Sequence, residues 1–269
     1  FQAEDGIRDR SPSRGLGDVY KRQGFTRKLQ ARYTLYLGSP IQRFLICGVL
    51  LTALWVDSVV FGVLLVLFVS GLQASLANEA VALRIPPVAL LALVSATGLL
   101  NDGRFSALVT LGAIISTPIL AGIGRTEEQK LSSEIGKILS AWLPLALIAM
   151  SLGLLSARDA SSAALFLCLI FFHDIGLYVS VRSQSQKRYV PLLAMIGSLA
   201  LLWTSIQMAA TSLPPDGFVP IAIGLALSIS AGRVAIALWT SDPPTSICLA
   251  SSYFLSAPIW TLFVLFLVP

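Results

Sequence analysis

The sequence predicts an all-α, polytopic membrane helix bundle, and three observations lead there. Apolar residues make up 55% of the chain and charged residues only 12%, with a mean hydropathy of +0.80. Soluble domains carry roughly 25% charged residues. The apolar residues fall into runs close to the length of about 20 that a membrane-crossing helix needs. Lys and Arg concentrate on alternate connections between those runs.

In chain order the runs cover about 42–57, 58–77, 86–101, 105–124, 139–156, 162–181, 189–210, 218–239 and 246–268, which gives about nine transmembrane helices. Only Asp57 and Ser58 join the first two, so that pair is a tight hairpin or one long bent element. With the N-terminus cytoplasmic, Arg27, Lys28, Arg32, Arg43, Arg84, Arg125, Lys130, Lys137, Arg182, Lys187 and Arg188 all fall inside. Arg104 and Arg158 alone fall outside, which satisfies the positive-inside rule. The expected location is a bacterial inner (plasma) membrane, crossed many times. No cleavable signal peptide is read, because the first apolar run is followed at once by a second.

Phe1 to Gln23 differ from the rest. Asp18-Val19-Tyr20-Lys21-Arg22-Gln23 back-translates to GATGTGTATAAGAGACAG, which resembles a transposase mosaic-end sequencing adapter. Residues 1–23 are therefore read as adapter-derived and residues 24–269 as one transmembrane helical domain. The mild positive excess that remains is not a nucleic-acid signature.

Arg27, Lys28, Arg32 and Arg43, interleaved with Tyr33 and Tyr36, predict a basic lead-in at the membrane interface. Thr126-Glu127-Glu128-Gln129 fits a capping box, and Leu131, Ile135, Ile138 and Leu139 recur at helical spacing. That stretch is expected to be an amphipathic helix on the membrane surface. Gly224, Ser228 and Gly232 repeat every fourth residue, as do Gly112 and Ser116 ahead of a kink expected at Pro118. Small residues at that spacing let helices approach closely. Cys47, Cys168 and Cys248 lack a metal-site spacing and read as small apolar residues.

Candidate chemistry centres on Phe171 to Arg188, where an apolar run carries His173 and Asp174 and ends in the cations Arg182, Lys187 and Arg188. An acid that must lie in lipid is a functional candidate by default. Asp174 is expected to face the bundle interior, neutralised by Arg233 of the eighth run or by a bound cation. His173, the only histidine, reads as a satisfied core or interfacial residue, since side chains of helix neighbours diverge by about 100°. The cations of the loop suit lipid headgroups or a nucleotide triphosphate, and orientation alone also accounts for them.

Asp174-Ile175-Gly176-Leu177-Tyr178-Val179-Ser180-Val181-Arg182 resembles the D-x-x-A-Y-x-x-G-R segment of the phosphatidate cytidylyltransferases, the membrane enzymes that make CDP-diacylglycerol. Gln42-Arg43, the acid Glu79 after the second run, and Ser252-Tyr253-Phe254-Leu255-Ser256-Ala257-Pro258 are similar to three further family fragments. The family's C-terminal K-D, P-G-H-G-G and D-R-x-D signature is replaced by Ser241 to Ser251, with Asp242 as its one carboxylate. The resemblance implies CTP and phosphatidate as substrates, Asp174 and Tyr178 as catalytic residues, and Mg²⁺ held at Asp174 and Asp242. It also implies that Arg182, Lys187, Arg188 and Arg233 meet phosphates, and it is compatible with a homodimer. The missing signature leaves few metal ligands, so a degenerate, non-catalytic relative is an open reading. A non-enzymatic scaffold or a small-solute transporter built on the Asp174–Arg233 pair is the alternative.

Overall fold

The structure is a computed structural model and describes residues 33–34, 39–76, 81–123, 131–183, 189–239 and 250–267. Helices account for nearly all of them, with no strand among the described residues. They are α1 (Pro40–Val56), α2 (Ser58–Leu76), α3 (Val81–Thr97), α4 (Gly103–Ile123), α5 (Leu131–Arg158), α6 (Ala160–Ser183), α7 (Val190–Gln207), α8 (Phe218–Trp239) and α9 (Ser256–Leu267). Five of these, α4 to α8, are long and apolar enough to cross a membrane, and α1, α2, α3 and α9 contribute shorter apolar helices. The outer surface is itself apolar: Trp55, Leu108, Ile115, Ile119, Leu227 and Phe266 are all exposed. A surface of that kind needs a lipid solvent, so the chain is a membrane protein.

The first apolar pair resolves at Asp57, whose backbone is extended and whose carboxylate accepts the Val59 N–H at 2.6 Å. That cap ends α1 and starts α2, so the pair is two helices and not one bent element. Asp102 caps α4 through Arg104 N and Phe105 N, and Asp159 caps α6 through Ser161 N and Ser162 N. Alternate helices are thus started by an acid at the turn before them. The Asp159 carboxylate also accepts from the hydroxyls of Ser161, Ser162 and Ser212, the last tying the turn after α7 to the start of α6.

The central element is α5, 28 residues and so about 42 Å long, packed against α2, α3, α4, α6 and α9. Trp142, Leu145, Leu152 and Leu155 of this helix are fully buried. The amphipathic stretch from Leu131 to Leu139 is its first part, which corrects the expectation of a separate surface helix. No helix breaker separates Leu139 from Trp142, so the backbone hydrogen bonds continue. The capping box at Thr126 lies outside the described residues, as do residues 1–32 and Glu79. Pro118 lies inside α4, and the helix carries through it.

Glycines set the closest approaches. A Cβ on Gly98 would stand 2.6 Å from the Met150 carbonyl oxygen of α5, and one on Gly176 of α6 would stand 2.9 Å from the Ala194 carbonyl oxygen of α7. The predicted stripe on α8 behaves as expected, since Gly224 faces the Phe263 ring and Gly232 faces the backbone of Ser251 and Leu255. The Gly112 stripe does not: nothing stands within 4 Å of a Cβ there, and that face of α4 points outward. Cross-helix hydrogen bonds complete the packing, from Ser198 Oγ to Leu169 O at 2.7 Å, Thr261 Oγ1 to Ser151 O at 3.0 Å and Trp260 Nε1 to Ser162 O at 3.2 Å. Each is worth about 0.6 kcal/mol on average inside a membrane protein.

Two outcomes follow. Gly98→Ala should lower stability by about 1–3 kcal/mol through overpacking, whereas Gly112→Ala should leave it unchanged, as read by thermal melts in detergent. Partial burial raises the Asp159 carboxyl, but the donors from Ser161, Ser162 and Ser212 outweigh it and bring the group down to about 2. A depressed carboxyl stabilises the fold above its unfolded value near 4, and the contribution fades as pH falls toward 2. Asp159→Asn should therefore flatten the acid limb of a stability profile between those values.

Candidate functional site

Asp174 lies in the part of α6 where an apolar helix has no water to offer it, and the fold supplies four partners. Arg43 Nη1 from α1 meets its Oδ2. On Oδ1, Ser252 Oγ donates at 2.6 Å, His173 Nδ1 lies at 3.0 Å and Arg233 Nη1 of α8 lies at 3.7 Å. Arg233 Nη1 also donates to Ser252 Oγ at 2.9 Å and Ser251 Oγ at 3.3 Å, and its Nε donates to the Tyr33 carbonyl at 2.9 Å. The Tyr33 hydroxyl lies 2.7 Å from His173 Nε2, and the Arg233 guanidinium stands 5.3 Å from the centre of the Tyr33 ring. Asp174 and Arg233 are each 2% exposed and Arg43 is 7% exposed, so the charges meet away from solvent.

Local sequence explains the convergence. Gly232 lets α8 press against the turn that carries Ser251 and Ser252, which puts the next residue, Arg233, on their hydroxyls. α1 runs along α6 in antiparallel register: Arg43 meets Asp174, Phe44 stacks near Phe171, and Cys47 points its thiol toward Leu167 O. Cys47 is buried and Cys168 half-buried, both as free thiols. Cys248 lies outside the described residues.

Beside the ion pair is a cavity of about 70 Å³, lined by Arg43 and Asp174 at one end and otherwise by apolar side chains of α1, α2, α5 and α6, including Leu50, Val69 and Ile148. Tyr253, from the turn before α9, also borders it. The arrangement is an apolar slot closed by a paired charge, a shape that suits an amphiphile with a small ionic head.

The structure treats the expected site residues unequally. Asp174 faces the interior and Arg233 approaches it, as predicted. Arg43 is not an interfacial lead-in but a direct partner of Asp174, and Tyr33 is buried against the same centre. His173 is satisfied, but by Asp174 and Tyr33, because its ring turns back toward the next residue. Tyr178 and Arg182 pair with each other, Nη1 to the phenol oxygen at 2.5 Å, with Arg182 exposed and apart from the carboxylate. Lys187, Arg188 and Asp242 lie outside the described residues.

Asp174 does not fit as a Mg²⁺ ligand in this donor set. Mg²⁺ needs several oxygen donors in an octahedron, with net negative charge around it. Here both carboxylate oxygens are engaged by donors, two of them guanidinium groups, and a dication would stand among cations. Among the described residues, no group of three His, Cys, Asp or Glu side chains gathers anywhere. What the set does fit is an anion: two arginines face one carboxylate, and guanidinium forks bind phosphate and carboxylate oxygens in pairs. Comparison of the chain with protein-family models, curated proteins and solved structures finds no match.

Removing Asp174 leaves two buried cations without their common carboxylate, whereas removing Arg233 leaves the Arg43–Asp174 pair in place. Asp174→Leu should therefore destabilise by about 3–5 kcal/mol, and Arg233→Leu by clearly less, as measured by denaturant titration in mixed micelles. Equal losses would mean that the carboxylate is not the hub.

Proposed function

We propose that this protein is a divergent, membrane-embedded relative of the phosphatidate cytidylyltransferases that holds the phosphate headgroup of phosphatidate at Arg43. The observation that carries the reading is convergence. The Gln42-Arg43 pair, the Asp174 run and the Ser252 run are three sequence-remote fragments that suggested the family, and Arg43 and Ser252 both touch Asp174, one on each carboxylate oxygen. The apolar slot beside them offers room for the first carbons of an acyl chain. Nine crossings of a bacterial inner membrane with a cytoplasmic N-terminus fit the nine apolar helices among the described residues and the asymmetry of Lys and Arg. That orientation would put the headgroup site toward the cytoplasmic third of the bundle.

The donor set favours binding over transfer. Cytidylyl transfer is positioning and charge neutralisation by metal-bound carboxylates, and the described centre is already cationic. The headgroup would compete with Asp174 for Arg43, exchanging one charge-assisted pair for another. CTP would then be neither held nor turned over at this centre.

Phosphatidate in detergent should bind the purified protein with saturation, and Arg43→Gln should weaken that binding by about tenfold or more. Labelled CTP with phosphatidate and Mg²⁺ should give no lipid-soluble product. A Mg²⁺-dependent product that disappears in Asp174→Ala would overturn the binding-only reading and restore the transferase. Absence of both binding and product would favour a small-solute carrier.

A further inference from the structure

Both ring nitrogens of His173 are occupied, one by an acid and one by a phenol. Asp174 Oδ1 lies 3.0 Å from Nδ1 and the Tyr33 oxygen lies 2.7 Å from Nε2. A carboxylate accepts, so Nδ1 carries the proton, and Nε2 is left to accept the Tyr33 hydroxyl proton. One continuous hydrogen-bonded line thus joins a phenol to the carboxylate that borders the cavity. All three groups are at most 3% exposed. Tyr33 packs with Leu177, Val190 and Ala194, nearer the α6–α7 connection than Asp174 is, so the line also points along the bundle.

From this geometry we propose that Tyr33, His173 and Asp174 form a proton relay that protonates Asp174 when an anionic phosphate monoester takes its place on Arg43. The identity of the ligand rests on the headgroup reading above; the relay rests on the hydrogen bonds alone. In the transfer, the Tyr33 O–H proton moves to Nε2 as the Nδ1 proton moves to Oδ1. The imidazole ends as the other tautomer, the carboxylate as a carboxylic acid, and the phenolate is reprotonated by hydronium or buffer acid from solution, so that the net change is one proton taken up. Arg233 over the Tyr33 ring steadies the phenolate in between.

Charge supplies the reason for the step. The groups that face Asp174 among the described residues are Arg43 from α1, Arg233 from α8, His173 beside it on α6, and the Ser252 hydroxyl from the turn before α9, with Tyr253 bordering the same cavity. α7 adds only apolar side chains, Val190 and Ala194, near the Tyr33 end. With Asp174 ionised this set is cationic by one charge. A phosphate monoester brings about −1.5 to −2 charges and overshoots neutrality, and one proton on Asp174 restores it. A phosphodiester lipid brings a single charge and needs no proton. Excess charge in an apolar interior is costly enough to make uptake and binding one event.

The test reads the relay with and without lipid. In lipid-free protein, a downward pH jump should raise a carboxylic-acid infrared band that is missing in Asp174→Asn. Tyr33→Phe, which removes one oxygen and keeps the ring, should slow that band by about tenfold or more and leave its final amplitude unchanged. With a pH dye, phosphatidate binding should take up about one proton more per lipid in the wild type than in Asp174→Asn, and phosphatidylglycerol should show no such difference. An unchanged rate in Tyr33→Phe, or a band that survives Asp174→Asn, would overturn the relay even if phosphatidate binds. A Tyr33-dependent band without any lipid binding would support the relay and remove the headgroup reading.

Discussion

One carboxylate inside an apolar bundle governs how this protein is assembled. An ionised Asp174 without partners would cost more than the net stability of most domains. The fold answers by drawing arginines from α1 and α8, a hydroxyl from the turn before α9 and an imidazole from the same helix. Elements remote in sequence are bound to a single point, including the Tyr33 carbonyl held by Arg233 across 200 residues. Such a network adds little net stability over a well-packed apolar core. Its effect is to select one arrangement of α1, α6, α8 and the α9 turn over others that would bury equal apolar area.

The sign of the centre follows from the same network. Two guanidinium groups against one carboxylate make a place where an anion gains and a divalent cation loses. The chemistry suggested by the Asp174–Tyr178–Arg182 spacing therefore divides. Tyr178 and Arg182 form an outward pair, while Asp174 turns inward to partners that the spacing did not contain. The same neighbours that leave a metal no favourable place put Arg43, one of the two cations on the carboxylate, at the edge of the cavity.

Glycine placement makes this geometry possible. Gly176 lies two residues after Asp174 and brings α7 against α6, and Gly232 precedes Arg233 and brings α8 against the serine turn. Helices with side chains at those points would stand further apart, and the contacts of Arg233 with the serine turn would open. Close packing and polar satisfaction meet at Gly232, where the hydrogen bonds of Arg233 to Ser251 and Ser252 depend on a backbone approach that a side chain would block.

Much of the helix layout was legible in the residues because lipid imposes it, with apolar length setting the helices; that Asp57, Asp102 and Asp159 cap the helices after them emerged only from the structure. The need for Asp174 to find a counter-charge, and Arg233 as a partner, followed from the same constraint. The last apolar run includes Ser251 to Leu255, which form a turn ahead of the helix that begins at Ser256, and the helix at Leu131 is continuous with the span that follows it. Neither Arg43 nor Tyr33 stood out as part of the site. Arginine and tyrosine near a run's start carry the signal of a membrane interface whether they snorkel outward or turn in. The sequence by itself thus determined that this chain lives in lipid and that Asp174 must be paired. Which cations reach it, that His173 bends back to join it to Tyr33, and that the centre is positive were decided by tertiary structure, because they depend on the register between helices and on rotamers that one-dimensional spacing does not encode.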